Sequence, residues 1–196
     1  MIHVYSKKMG GVWYAAAVQD DQILATTFSF EEPDLMRLLR RLPDNIPFQV
    51  AEEPNQILTD VLDALEEIFN GKGRESYAFK INLNHLSSYT QKVLNCTRLV
   101  PVGYVTSYGA IAKAAGGGAR SVGNVEATNH VHLLIPCHRV VRSDLSLGGY
   151  GGGEQLKLEI LRREERGYEE QKELEVNDKK MALFPAEWVK QNRESV

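Results

Sequence analysis

Cysteine is scarce in this 196-residue chain, where only Cys96 and Cys137 occur, too few for the disulfide framework of a small secreted domain. Long apolar runs are missing as well. None approaches the roughly 18 residues that a membrane-spanning helix needs, so no membrane partner is expected. Residues 12–18 (VWYAAAV), behind Lys7 and Lys8, imitate a signal peptide, but the run is short and Gln19, Asp20 and Asp21 end it without a cleavage site. No internal repeat is found. With 7 Pro, 16 Gly, 43% hydrophobic and 25% charged residues and a net charge of −3, collagen-like and disordered classes have no support. The expectation is an intracellular, cytoplasmic protein (nuclear in a eukaryote) of 22.0 kDa, long enough to bury a core as one large or two small domains.

Charge is unevenly spread. Residues 1–85 hold 8 Lys and Arg against 13 Asp and Glu, residues 86–168 hold 10 against 6, and residues 169–196 hold 5 against 7. A nucleic acid would therefore meet the middle of the chain, although an excess of this size also suits a plain solvated surface.

Three segments follow from pattern and punctuation. In residues 1–85, β-rich runs 12–18 and 22–30 flank Asp20-Asp21 and predict a hairpin. Leu35, Leu38, Leu39 and Leu42 then repeat at helical spacing over residues 34–42, and a short strand is expected at 48–51. Pro54 opens a longer helix with Ile57, Leu58, Val61, Leu62, Leu65, Ile68 and Phe69 on one face and Gly71 past its end. These elements carry no evident chemistry. Residues 71–87 read as the boundary. Beyond it, Ser88 caps a helix to about Leu99, and Thr106 or Ser107 caps Tyr108–Ala115. A glycine turn then leads to a helix from Ala119 to about Thr128, which gives helix-turn-helix proportions. Residues 133–141 (LLIPCHRVV) read as an apolar strand interrupted by polar residues. Glycines at 148–153 precede a helix from Glu154 to about Glu164, and a charged stretch leads to an apolar patch around Phe184, Trp188 and Val189.

Cys137 is the candidate nucleophile. A free cysteine is most often a small buried hydrophobe, yet this one sits between Pro136 and His138-Arg139, which break the consistency of an apolar strand. Cationic neighbours raise the thiolate fraction of a thiol. Cys96, on an apolar helix face, is expected to pack. His130, His132, Cys137 and His138 are zinc-ligand types, but their spacing matches no common structural site, and neighbours on a strand point to opposite faces. No metal is expected. The glycine run has neither a Walker pattern nor G-x-G-x-x-G, and instead marks a tight turn or a close backbone approach beside the cysteine.

The segments 102–109 (VGYVTSYG), 118–123 (GARSVG), Asn129, 135–141 (IPCHRVV) and 149–153 (GYGGG), in this order and spacing, resemble the O6-alkylguanine-DNA alkyltransferases. The resemblance covers residues 88–167; over residues 1–85 it is architectural only. It implies a ribonuclease-H-like α/β domain at 1–85 and a mainly helical alkyltransferase domain at 86–168 with a winged helix-turn-helix-like element, leaving 169–196 as a C-terminal extension. It further implies a monomeric DNA-repair protein that needs no cofactor. Its partner would be double-stranded DNA containing O6-alkylguanine, which it flips out, transferring the alkyl group once and irreversibly to Cys137. His138 then matches the histidine that takes the thiol proton through a water. Glu164, or Glu165 after a one-residue shift, matches the glutamate that orients it, and Asn129 the asparagine that holds the turn. Tyr108, the carbonyls of Cys137 and Val140, and the Gly151 amide match the groups that bind the base. Arg120 matches the finger that fills the vacated stack, while Ala119, Ser121 and Gly123 let the helix press into the minor groove.

Four positions depart from the family pattern. Gly151 stands where a serine is usual and His130 follows Asn129 where proline is usual. Glu126 and Ala127 lie on the recognition helix, Ala127 where a basic residue is common, implying weaker DNA affinity. The same family includes non-catalytic lesion binders, which typically replace the cysteine that is present here.

Overall fold

A computed structural model describes residues 1–190 apart from 34, 41, 43–45, 75, 76 and 177. Residues 34 and 41 of the predicted first helix, 75 and 76 of the predicted boundary and 191–196 of the predicted tail lie outside the described residues.

The N-terminal part is α/β. Strands β1 (Ile2–Met9), β2 (Val12–Gln19) and β3 (Gln22–Ser29) form an antiparallel meander. Asp20 and Asp21 make the predicted hairpin turn, both at positive φ, 49° and 57°, as a two-residue turn compatible with strand twist requires. β4 (Phe48–Val50) and β5 (Lys80–Ile81) add parallel edges, giving the order β4-β1-β2-β3-β5. β1 and β5 were not anticipated: polar Lys7, Lys8 and His3 blur the alternation of β1, and β5 has two residues only. Strand β2 is apolar on both faces because both are covered. Ala15 and Ala17 pack with Ile2, Val4 and Leu24 under α1 (Leu35–Leu39), while Tyr14, Ala16 and Val18 face α2 (Gln56–Phe69). Helix α2 starts after Pro54, with Asn55 as its cap: Asn55 Oδ1 accepts from the Leu58 amide at 3.0 Å. Its Leu58, Val61, Leu62, Leu65, Ile68 and Phe69 are buried, each contributing about 1.5–3 kcal/mol.

The C-terminal part is mainly helical, with α3 (Ser88–Arg98), α4 (Tyr108–Ala115), α5 (Ala119–Ala127) and α6 (Glu154–Glu164). Ser87 rather than Ser88 caps α3, and Ser107 caps α4. A second sheet was not expected. β6 (Tyr104–Ser107), β7 (Val140–Val141), β8 (Lys172–Val176) and β9 (Lys179–Pro185) align in the order β7-β6-β9-β8. The segment beyond residue 168 thus pairs with β6, and the Thr106 hydroxyl donates to the Ala182 carbonyl at 2.8 Å.

Contacts around Gly71 help to set the two parts against each other. Gly71, at φ 71°, follows α2, and a Cβ there would stand 2.0 Å from the Arg163 carbonyl oxygen. Only glycine permits that approach. Arg163 lies over the Phe69 ring at 4.6 Å and donates to the Phe69 carbonyl at 3.1 Å, and Arg166 donates to the Gly71 carbonyl. The end of α6, which carries Glu164, is thereby held against the N-terminal part. One apolar core runs from Val12 and Leu65 to Val93, Ile111 and Val122.

Candidate active site

Cys137 does not lie on a strand, contrary to the reading of residues 133–141. Leu133 adopts φ 67° and turns the chain, Cys137–Arg139 form a single 3-10 turn, and extended structure resumes only at Val140–Val141. Asn129 explains the turn. Its Nδ2 donates to the Ile135 carbonyl at 2.9 Å and its Oδ1 accepts from the Val131 amide at 3.0 Å, so one buried amide satisfies two backbone groups that a sheet would otherwise pair. The N-terminal sheet contributes as well, although no role was expected of it. The Thr26 amide donates to the His130 carbonyl at 2.9 Å and the Thr26 hydroxyl to the His132 carbonyl at 2.7 Å. Strand β3 therefore grips the segment that leads to the cysteine.

Cys137 is 8% exposed and lines a large cavity. The same cavity is bordered by Tyr108 on α4, Arg120 and Glu126 on α5, Gly148–Gly152, and the end of β3. Burial pushes the Cys137 thiol up to about 11, and Glu126 adds to the rise; Asn129 and Lys157 lower it in part. The expectation that His138 and Arg139 raise the thiolate fraction is overturned, because both turn away to Glu164. His138 Nε2 lies 3.1 Å from Glu164 Oε1, and both side chains are fully buried. Arg139 grips the same carboxylate with two bonds, Nε to Oε2 at 2.9 Å and Nη2 to Oε1 at 2.7 Å, and its Nη1 donates to the Val100 carbonyl at 2.7 Å.

This arrangement fixes protonation states. Burial disfavours charge on Glu164, but Arg139 and His138 more than offset it and bring its pKa down to about 2. Burial lowers His138, with Glu164 opposing, so the imidazole is neutral. With Nε2–H donating to the carboxylate, Nδ1 is left as an acceptor, and it has no hydrogen-bond partner among the described residues. Glu164, not Glu165, is therefore the carboxylate at His138.

The other singled-out residues surround this pair. Tyr108 is half-buried, its hydroxyl 3.5 Å from the Gly149 carbonyl. Gly148, at φ 67°, abuts the Tyr108 ring, which a Cβ would reach at 3.0 Å. The close approach expected of the glycine run is thus made at its first residue. Gly151 is exposed at the cavity rim. Ala119, Arg120 and Ser121 are exposed along the start of α5 and Gly123 is half-buried behind them. The Val140 carbonyl accepts from Lys157 Nζ at 2.5 Å, and a second lone pair remains for another donor. The zinc-type residues do not converge: His130 faces His85 with Nε2 atoms 3.2 Å apart, His132 meets the Phe28 ring edge-on, and His138 is taken by Glu164. Among the described residues no group of three or more His, Cys, Asp or Glu is placed to hold a metal.

Lys157 escaped the sequence reading, and the burial of Glu126 did too. Lys157 is fully buried, and burial brings it down to about 8 against the raising influence of Cys137 and Glu126. It sits among apolar residues of α6 (QLKLEIL), and a lysine on that face was the available signal. Glu126, expected with Ala127 to weaken DNA affinity from the recognition helix, is 8% exposed and points inward, its Oε1 2.5 Å from the Thr97 hydroxyl.

Residues 88–166 match the family model described as 6-O-methylguanine DNA methyltransferase, DNA binding domain. A methylated-DNA–protein-cysteine methyltransferase of Metallosphaera sedula is 37% identical over 110 residues, 56% of this chain and 69% of that protein. The chain belongs to the methylated-DNA–protein-cysteine methyltransferase family. A relative of the same name from Methanothermobacter thermautotrophicus is 32% identical over 111 residues, and the match spans 57% of this chain but only 63% of that relative's length. A protein of Thermus thermophilus named a DNA base-flipping protein is 32% identical over 126 residues, 64% of this chain and 86% of its own. In fold, the chain is similar to the crystal structure of Mycobacterium tuberculosis O6-methylguanine methyltransferase, with TM-score 0.66, 23% identity, and coverage of 84% of this chain and 93% of the other. No helix among the described residues is long and apolar enough to cross a membrane.

Proposed function

We propose that this family member repairs O6-alkylguanine in double-stranded DNA by transferring the alkyl group to Cys137, once per molecule. The observation that carries this reading is His138, tied through Nε2 to the Arg139-backed Glu164 carboxylate, next in chain to a thiol that lines a large cavity. A thiol held well above neutrality needs a base, and His138 Nδ1 is one, reached through a water. As the proton leaves, Sγ attacks the saturated carbon, the S–C bond forms as the C–O6 bond breaks, and the electron pair goes to the guanine, which takes up a proton. The thioether product has no leaving path, so turnover ends there.

In this reading Asn129 holds the nucleophile's turn. Tyr108, the Cys137 and Val140 carbonyls and the Gly151 amide bind the extruded base. Arg120 occupies the gap in the stack, with Ala119, Ser121 and Gly123 keeping α5 slim enough for the minor groove. The domains run 1–85 (ribonuclease-H-like), 86–168 (alkyltransferase, with α4 and α5 as a winged helix-turn-helix-like pair) and 169–196. The protein acts as a cytoplasmic monomer, and the name of the Thermus relative supports the flipping step.

The test is incubation with duplex carrying labelled O6-methylguanine, followed by denaturing separation. Covalent label is expected at no more than one per chain, lost in Cys137→Ser and kept in Cys96→Ser. DNA binding without label on Cys137 would instead establish a lesion binder that performs no transfer.

A further inference from the structure

Glu126 is the feature that the proposed reaction leaves unexplained. It lines the cavity together with Cys137 and Tyr108, and its Oε2 is buried with no hydrogen-bond partner among the described residues. A buried carboxylate oxygen without a donor is costly, and such orphans call for an explanation. Proton counting supplies one. The Thr97 hydroxyl lies 2.5 Å from Glu126 Oε1 and 3.1 Å from the Val93 carbonyl. It has one hydrogen and faces two acceptors if Glu126 is ionised. Both contacts are hydrogen bonds at once only when Oε1 carries a proton: Glu126 Oε1–H donates to Thr97, and Thr97 donates to Val93.

We propose that Glu126 is a neutral carboxylic acid in the resting protein, and that its ionisation restrains the nucleophile by placing a second negative charge beside Lys157, the buried cation that serves the Cys137 thiolate. The inference rests on the reading of Cys137 as the nucleophile. When Oε1 loses its proton to solvent, the Thr97 hydroxyl swings from Val93 to the carboxylate, and Lys157 then faces two anions instead of one. The groups that face Glu126 are Thr97 and Cys96 on α3, Tyr108 on α4, Lys157 on α6 and Cys137 in its turn. Burial raises Glu126 to about 7, with Thr97 and Lys157 opposing, so the switch falls in the physiological range. Glu126 touches no reacting atom in this scheme; it is a positioning residue for charge.

Glu126→Gln preserves the shape and the donor to Thr97 but cannot ionise. The experiment follows carbamidomethylation of Cys137 by iodoacetamide from pH 5.5 to 9, in a Cys96→Ser background and without DNA. The two proteins should react alike below pH 6. Above pH 7 the titration midpoint of the thiol in the Gln variant should lie about 1 pH unit lower, a roughly tenfold faster reaction at pH 8.5. Glu126→Met, which removes every polar atom, should behave as Gln does and serves if Gln fails to fold. Profiles that stay parallel across the range in either folded variant would overturn the proposal. Because no DNA is used, a wild-type protein that fails to accept label from O6-methylguanine would sink the repair function without touching this outcome.

Discussion

Removing the charge of Glu164 should cost far more than one surface ion pair, and the cost should be recovered when its partner is removed too. The pKa of Glu164 lies at about 2 against an ordinary 4.5, a difference worth about 3 kcal/mol of folding stability at neutral pH. Its folded value lies below its unfolded value. The stabilisation is therefore complete above pH 4.5, falls to about 1 kcal/mol by pH 3 and is gone below pH 2. Glu164→Gln leaves the Arg139 guanidinium buried without its counter-charge, and Arg139→Met leaves a buried carboxylate with only His138. Each should lose about 3–5 kcal/mol at pH 7. The double variant should lose about 2–3 kcal/mol less than the sum, because no uncompensated charge remains. Urea unfolding at pH 7 and pH 3 measures both effects, with the gap between wild type and Glu164→Gln narrowing at the lower pH. Strict additivity at pH 7, or a gap that widens in acid, would refute the reasoning.

Two further outcomes follow from the geometry. Arg120→Ala should slow transfer from duplex DNA at least tenfold while leaving reaction with free O6-benzylguanine within about twofold, since one finger is asked to supply a few kcal/mol of unstacking; equal loss on both substrates would reject the finger role. Gly71→Ala should lower stability by about 3 kcal/mol or more in thermal unfolding, because the added Cβ meets the Arg163 backbone at 2.0 Å and φ is positive; an unchanged midpoint would mean that the junction between the two parts can move aside.

Local chemistry made much of this protein legible from its letters. The hairpin at Asp20-Asp21, the apolar face of α2, and α4 and α6 with bounds matching the expected ones were all set by turn residues, caps and period. What was misread depended on distant partners. β5 is two residues long and exists only because β3 lies beside it, and no propensity within two residues can announce that. The strand expected around Cys137 is a 3-10 turn, beside which Asn129 takes the Ile135 carbonyl and Thr26 holds the His130 and His132 carbonyls just before it.

The order of chemical groups along the chain, a lone cysteine followed by His138 and Arg139, an asparagine eight residues before and a glutamate on a later helix, belongs to the sequence and is enough to suggest a nucleophile. Whether that sulfur is helped or hindered belongs to the tertiary structure. Burial raises the thiol, Glu164 claims both neighbours that seemed ready to lower it, and Lys157 and Glu126 arrive from other helices to set the local field. Chain order fixes which groups exist; the dielectric around them and the charges brought near them come only with packing, and at a buried site these decide protonation.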